Sequence, residues 1–436
     1  MKYTLCLICI SVTLFGSSLD ELIDHAMENS TVIKQSKAQM QLAEVQREES
    51  QAEHLGSIDL VGSYTHFNLP RTLIPLTPGS LLSDPNAAKA IATTKDLFAT
   101  GVRYSVPLFT GFAQTRQVEM DSLTTELSQS KLSLTKEQLA YNVASLYLSI
   151  LGLQDMSRAQ KKHVDALGKL KHIIQQEVSL GKKAEIDLLK AENDFYGNKS
   201  YLEVLKGNIA MTKASLSSLV GLKHLGEIKP IRVSVKKPNY SINMLVEEAS
   251  KLNKVHISEL NIRKASKGVE KSKSSLYPQV SLDSYFGYNY GENDSANTFP
   301  GDFNSEENWQ IGVSAKWTLY DFGKSDASTQ KAKILRMQAT FDKEQTLLDI
   351  RKSLVEAVEK MKQEYANYQA NLKQVALAKK SEKIERVRYK NGVSTINDLL
   401  YATSQTHVAS AKLIESKYNY QKGKFYMNYL LERGVK

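Results

Sequence analysis

One distance recurs through this chain. Gly181 pairs with Gly392, Asp187 with Asp398, Leu188 with Leu399, Leu189 with Leu400 and Ala191 with Ala402, each pair 211 positions apart. The same offset holds without a gap from Gly101/Gly312 to Leu219/Leu430. Such self-similarity means two copies of one structural unit. Each copy is built around a tight reversal, Leu180-Gly-Lys-Lys183 in one and Asn391-Gly-Val-Ser394 in the other, between two helical patterns. A fold for one copy must therefore serve the other, and must bring the two together.

The order of elements in each copy follows from periodicity. Residues 19–55 read as a helix opened by Ser18 and closed near Gly56. Ser57–Phe67 then alternates, with Ile58, Leu60 and Tyr64 on one face and Asp59, Ser63 and Thr65 on the other. Alternation returns at Phe98–Leu108, where Val102, Tyr104 and Val106 lie opposite Arg103 and Ser105. Period two with one apolar face predicts strands. A proline-free helical run covers about 111–178, and a returning helix about 184–220. The connector 222–240 holds a candidate short strand at 231–235. The second copy predicts a helix at 242–276, strands at 280–290 and 309–319, and helices at 323–388 and 395–431. The domain organisation expected is a first repeat at 19–221 with its hairpin at 57–108, a connector at 222–240, and a second repeat at 241–436 with its hairpin at 280–319.

A helix of about 68 residues reaches about 100 Å, far beyond an ordinary globular helix. Leu354, Val358, Met361, Tyr365, Tyr368, Leu372 and Val375 follow the alternating four-three spacing of a coiled-coil seam, and Val143, Tyr147 and Ile150 begin the same seam in the first copy. Two short helices end to end match the length of one long helix, so each copy predicts two rods joined at a tip, with a β-hairpin at the far end.

Residues 1–18 read as a signal peptide: Met1-Lys2, an apolar run from Tyr3 to Phe15, then Gly16-Ser17-Ser18. Cys6 and Cys9 both lie inside it, so the mature chain, beginning near Leu19, is expected to lack cysteine and any disulfide or thiolate metal site. A lipoprotein signal would place its cysteine after the apolar run. No later stretch offers the roughly 18 consecutive apolar residues of a spanning helix. The four strands, by contrast, have about the ten residues needed to cross a bilayer when tilted, with Trp309, Trp317, Tyr104, Tyr288 and Tyr290 on their apolar faces. Open sheet edges are not tolerated in lipid, and four strands cannot close a barrel alone. Closure demands association, for which cyclic symmetry is the usual solution.

The net charge of +10 comes from Lys and Glu interspersed along helical faces, which describes solvated helices and not a nucleic-acid surface. The eight histidines are scattered, and no metal-ligand spacing, P-loop, nucleophile elbow or dinucleotide fingerprint occurs. No enzyme activity, metal or other cofactor is expected.

Five pieces are distributed over the two copies. Tyr277-Pro-Gln-Val-Ser-Leu282 enters a strand; Pro107-Leu-Phe-Thr-Gly-Phe112 and Thr318-Leu-Tyr-Asp-Phe-Gly323 leave one; the tips at Gly181 and Gly392 complete the set. Over about 19–432 the chain resembles the TolC-type outer-membrane efflux channel family. The resemblance implies an α+β membrane protein, a long-helix α-barrel plus a transmembrane β-barrel with four strands per chain, closed as a homotrimer. It implies an outer-membrane location with a helical tunnel in the periplasm, and a passive duct for substrates delivered by an inner-membrane transporter through a periplasmic adaptor. By the same resemblance, Leu180, Gly181, Lys182, Lys183, Asn391, Gly392, Val393 and Ser394 are expected to dock the adaptor. Asp398 takes the family's pore-narrowing position, and the usual second aspartate is Tyr401 here. With Asp187 in the matching place and Tyr389 and Arg388 as partners holding the tips closed, these form the expected gate. Thr110 stands where the family usually has Asp, and Phe112 where it usually has Gly, which places the strand-to-helix corner in question. A periplasmic coiled-coil adaptor without a pore is the other reading; it needs neither the duplication nor four lipid-ready strands.

Overall fold

The computed structural model describes residues 18–75, 91–294 and 303–434. The expected signal peptide, apart from Ser18, lies outside them, as do much of the two strand-joining loops and Ser295. The elements run α1 (Leu19–Asn29), α2 (Thr31–Ala52), β1 (Ser57–Thr72), β2 (Thr93–Phe109), α3 (Ala113–Ser179), α4 (Glu185–Val220), α5 (Ile242–Ala249), α6 (Asn253–Ser272), β3 (Gln279–Glu292), β4 (Phe303–Lys316), α7 (Lys324–Lys390) and α8 (Ile396–Leu430). The repeat offset is kept at both ends of the long helices: α3 and α7 are each 67 residues, starting at Ala113 and Lys324 and ending at Ser179 and Lys390.

The chain forms two compact units, each drawing on both repeats. One comprises residues 40–128 and 258–342 and holds the sheet, with antiparallel strands in the order β1-β2-β3-β4. The pairings Ile58–Tyr104, Leu60–Val102, Val102–Phe286 and Phe286–Trp309 put the apolar residues of all four strands on one face. That face is bare: Leu60 is 83% exposed, Ile311 71% and Trp309 68%. Polar side chains occupy the other, where Asp59 faces Arg103, Arg103 faces Tyr285, Tyr285 faces Gln310, and Ser105 faces Asp283. The pair Gly101–Gly287 lies on this polar face with the Tyr285 ring laid across it; a Cβ on Gly287 would meet the Tyr285 hydroxyl at 2.5 Å.

The other unit comprises residues 18–39, 129–257 and 343–434. Its core includes the predicted seams. Val143, Tyr147, Ile150 and Leu354 are fully buried, Val358 and Met361 nearly so, while Leu372 is half-exposed. Leu245, Ala249 and Val255 of α5–α6 pack with Leu354, Val358, Met361, Tyr420 and Met427.

Four expectations change. The helix over 19–55 breaks at Ser30, whose extended ψ of 134° ends α1, and its last turn tightens to 3₁₀ at Glu53–Leu55. The helix over 242–276 is interrupted between Ala249 and Asn253 and also ends in a 3₁₀ turn, Lys273–Leu276. No strand forms at 231–235; the connector has only an isolated bridge at Ile228, and tyrosine hydroxyls hold its carbonyls, Tyr147 donating to Lys229 O and Tyr420 to Lys236 O, both at 2.6 Å. Finally, β4 starts earlier than expected and stops at Lys316, opposite Gln279, leaving Trp317 and Leu319 outside the ladder. Pro278 has no N–H with which to extend it.

Candidate functional site

The two tips are one structure made twice. At the first, the Gly181 N–H donates to Val178 O at 2.9 Å and the Lys182 N–H to Glu177 O at 2.8 Å; at the second, Gly392 donates to Tyr389 O at 3.0 Å and Val393 to Arg388 O at 2.8 Å. These paired bonds satisfy the last carbonyls of α3 and α7, and they require a left-handed residue, which glycine supplies at φ 69° and 73°. Leu180 and Val393 project from the turns, 68% and 66% exposed, and Lys182, Asn391 and Gly392 are exposed beside them. Lys183 and Ser394 are partly buried.

Behind the turns the hairpins share a core of Leu167, Ile174, Ala191, Tyr389, Ile396, Leu399 and Leu400. Tyr389 is the residue that joins them. It comes from the second hairpin, is 8% exposed, and lies under the Lys183 ammonium of the first, 4.6 Å from the ring centroid. Among the described residues its hydroxyl finds no partner, and burial, with the nearby Glu177 and Asp187 carboxylates, pushes the phenol up to about 12. Tyr389 thus locks one hairpin to the other within the chain.

The copies differ in how they hold their aspartates. Thr395 caps α8 in a reciprocal box: its N–H donates to Asp398 Oδ2 at 2.9 Å, its hydroxyl to the same oxygen at 2.8 Å, and the Asp398 N–H returns to Thr395 Oγ1 at 3.3 Å. Those bonds, then the charge of Arg388, hold the Asp398 carboxyl below the usual carboxylate range. The matching cap of α4 is Ala184, which has no side-chain acceptor, so Asp187 is not fixed in this way. Arg388 pairs with Glu385 at 2.7 Å. Together with Ala378, Ser381, Tyr401, Ala402 and Gln405, residues Glu385, Arg388 and Asp398 line a groove of about 290 Å³ on the second hairpin. Tyr401 stands 68% exposed at its side. The structure therefore gathers Asp398, Tyr401 and Arg388 in one groove, and places Tyr389 and Asp187 in and beside the shared core. Glu385 and Gln405 were not among the expected site residues. The Lys183–Tyr389 contact was also missed, because it joins the tips across positions that the repeat does not pair. The Thr395-x-x-Asp398 box was readable as a capping motif.

The strand-to-helix corners answer the question posed by Thr110 and Phe112. Both corners use two successive left-handed residues, Gly111-Phe112 at φ 62° and 69°, and Phe322-Gly323 at φ 55° and 85°. Phe112 therefore keeps the corner at the cost of a strained backbone. Its ring packs edge-on against Phe109 and Tyr277, with centroids 5.2 and 5.7 Å away. Thr110 caps α3, its Oγ1 accepting from the Gln114 N–H at 3.3 Å, as Asp321 caps α7 by accepting from the Ser325 N–H at 2.9 Å.

A duplicated hairpin-and-strand chain whose sheet bares one apolar face defines a membrane channel subunit of the α-tunnel and β-barrel class. The sequence profile of outer membrane efflux proteins matches residues 22–222 and 252–423, and the chain belongs to that family. Outer membrane protein TolC of Vibrio cholerae is 22% identical over 416 residues, 94% of this chain and 90% of that protein. Among solved structures, the CmeC outer membrane channel of Campylobacter jejuni superimposes with a TM-score of 0.77 at 15% identity, covering 96% of this chain and 86% of that one. The MtrE outer membrane channel of Neisseria gonorrhoeae, in its open state, gives 0.73 at 15% identity, covering 95% and 88%. The family places the protein in the outer membrane as an efflux channel.

Proposed function

We propose that the protein is the passive exit duct of a tripartite efflux or secretion system, built as a homotrimer. The observation that carries this reading is the sheet: four strands with one bare apolar face and two unpaired edges, β1 and β4. In lipid such edges must be closed, and three copies joined edge to edge close them. A second feature supports association. On α7, Ile334, Met337, Phe341 and Leu348 recur at seam spacing and are all at least half exposed. They suit a neighbouring copy's helix.

In this assembly the polar sheet face lines the lumen and the two tips close the periplasmic end. Asp398 and Tyr401 form an acidic and an aromatic ring, three of each, and Asp187 a second acidic position. The exposed turn residues Leu180, Lys182 and Val393, with Gly181, Lys183, Asn391, Gly392 and Ser394, meet a periplasmic adaptor that links the duct to an inner-membrane transporter. The duct does no chemistry and binds no cofactor; energy comes from the transporter. The two sequence repeats, 19–221 and 241–436, each supply one strand pair and one tip. Purified protein in planar bilayers should show unitary conductance steps with no energy source. A cysteine placed at Ser295, between β3 and β4 in the sequence, should react with an impermeant maleimide in intact cells. Labelling only after lysis would reverse the topology, and absence of conductance from well-folded protein would refute the duct.

A further inference from the structure

A cavity of about 1210 Å³ lies where α6, β3, β4 and the start of α7 meet, all within the sheet-bearing unit. Five lysines line it: Lys264 and Lys271 of α6, Lys316 at the end of β4, and Lys324 and Lys331 of α7. The spacing is regular. Lys264 and Lys271 are seven apart on one helix, as are Lys324 and Lys331 on the other, so each pair lies on one helical face. Gln279 and Lys316 face each other in the ladder, on its polar side. Little negative charge opposes the lysines. Asp321 is engaged in capping α7, and Asp342 stands at the far end of the groove. Lys271 donates to Gln117 Oε1 at 2.5 Å, a neutral partner.

The repeat provides an internal control. Thr31 and Asn253 open matching helices, and Ser57 and Gln279 matching strands, so the first-copy counterparts of the five lysines are Leu42, Glu49, Ser105, Ala113 and Met120. The fold therefore does not require lysine at any of these places. Concentrating cations at one concave site has an electrostatic cost that an anionic ligand would relieve.

We infer that this lysine-lined groove is a lumenal binding site for small multivalent organic anions, such as sulfonates, carboxylates or phosphates, in transit through the duct. The inference rests on the reading that the polar sheet face lines the lumen. Anions recruited there are concentrated at the junction of tunnel and barrel, and release is rapid because the lysine heads of α7 and β4 remain solvated.

The test is binding of a trisulfonated hydroxypyrene dye to the full-length protein in a nonionic detergent, read by fluorescence anisotropy. Dye should bind, more weakly as salt rises, and the triple variant Lys264→Gln/Lys324→Gln/Lys331→Gln should bind at least about tenfold more weakly. A charge-matched triple variant, Lys379→Gln/Lys380→Gln/Lys383→Gln, should bind like the wild type. Equal binding by the groove variant, or an equal loss in the charge-matched one, overturns the inference. So does displacement of the dye by phosphatidylglycerol but not by free benzenetrisulfonate, which would make the groove a lipid-headgroup seat. Unitary conductance of the wild-type protein without dye separates the two claims: a conducting wild-type channel that fails to bind dye removes this site and leaves the duct standing, whereas a wild type that does not conduct removes the reading on which the site rests.

Discussion

Thr395 decides how Asp398 can be tested. Because Asp398 completes the cap of α8, Asp398→Ala removes a charge and a capping bond together. Asp398→Asn keeps an acceptor at the cap and removes only the charge. In planar bilayers it should lower cation preference and weaken block by multivalent cations, while Asp187→Asn does less; unchanged selectivity in the first and altered selectivity in the second would move the constriction to the other hairpin. Thr395→Ala should instead cost about 1 kcal/mol of stability and leave selectivity near wild type. Phe112 offers a separate backbone test. Relative to Phe112→Ala, which keeps the left-handed strain and loses the ring contacts, Phe112→Gly should be more stable by roughly 1 kcal/mol in urea titration. A titration belongs at this scale too. His163 of α3 and His407 of α8 stack with centroids 4.6 Å apart. Burial, then His407, pulls His163 down to about 4, against a smaller opposing pull from Glu382, and burial lowers His407. The folded state thus disfavours protonation that the unfolded chain accepts near pH 6.5, so stability falls as pH drops from about 6.5 towards 4. The melting temperature should decline over that window and flatten in His163→Gln/His407→Gln; an equal decline in the double variant would place the effect elsewhere.

Helices and strands were the legible scale, for a physical reason. A gapless repeat fixes both ends of α3 and α7 at once, and period-two alternation fixes which residues share a sheet face, since a slip of one residue would turn every apolar side chain inward. What escaped was set by neighbours distant in sequence. The absent strand at 231–235 and the end of β4 at Lys316 go with the tyrosine tethers of the connector and with Pro278 just before the neighbouring strand. Of the candidate site, the glycine turns and the capping aspartate could be read locally, whereas Tyr389 under Lys183 could not, because that contact joins residues of different repeats. The tips are the elements to perturb. Replacing Lys182 and Val393 together, Lys182→Glu with Val393→Asp, should abolish export of a toxic substrate while oligomer and outer-membrane insertion stay intact. Full export by that variant would remove the docking role of the turns. Gly392→Ala should weaken the second tip by roughly 1 kcal/mol, although open space surrounds it, because its φ of 73° strains any Cβ-bearing residue.

One chain supplies a sheet with two open edges and a long helix with an exposed seam, and the proposed trimer would satisfy both. In the proposed trimer the apolar face reaches lipid, the polar face encloses water, and the duct exists only as an assembly. The most direct measurement is native mass spectrometry of the purified protein in detergent, on the same sample that is then fused into planar bilayers. The account predicts one dominant species with the mass of three mature chains, and unitary conductance from it. A stable monomer that inserts and conducts would contradict it.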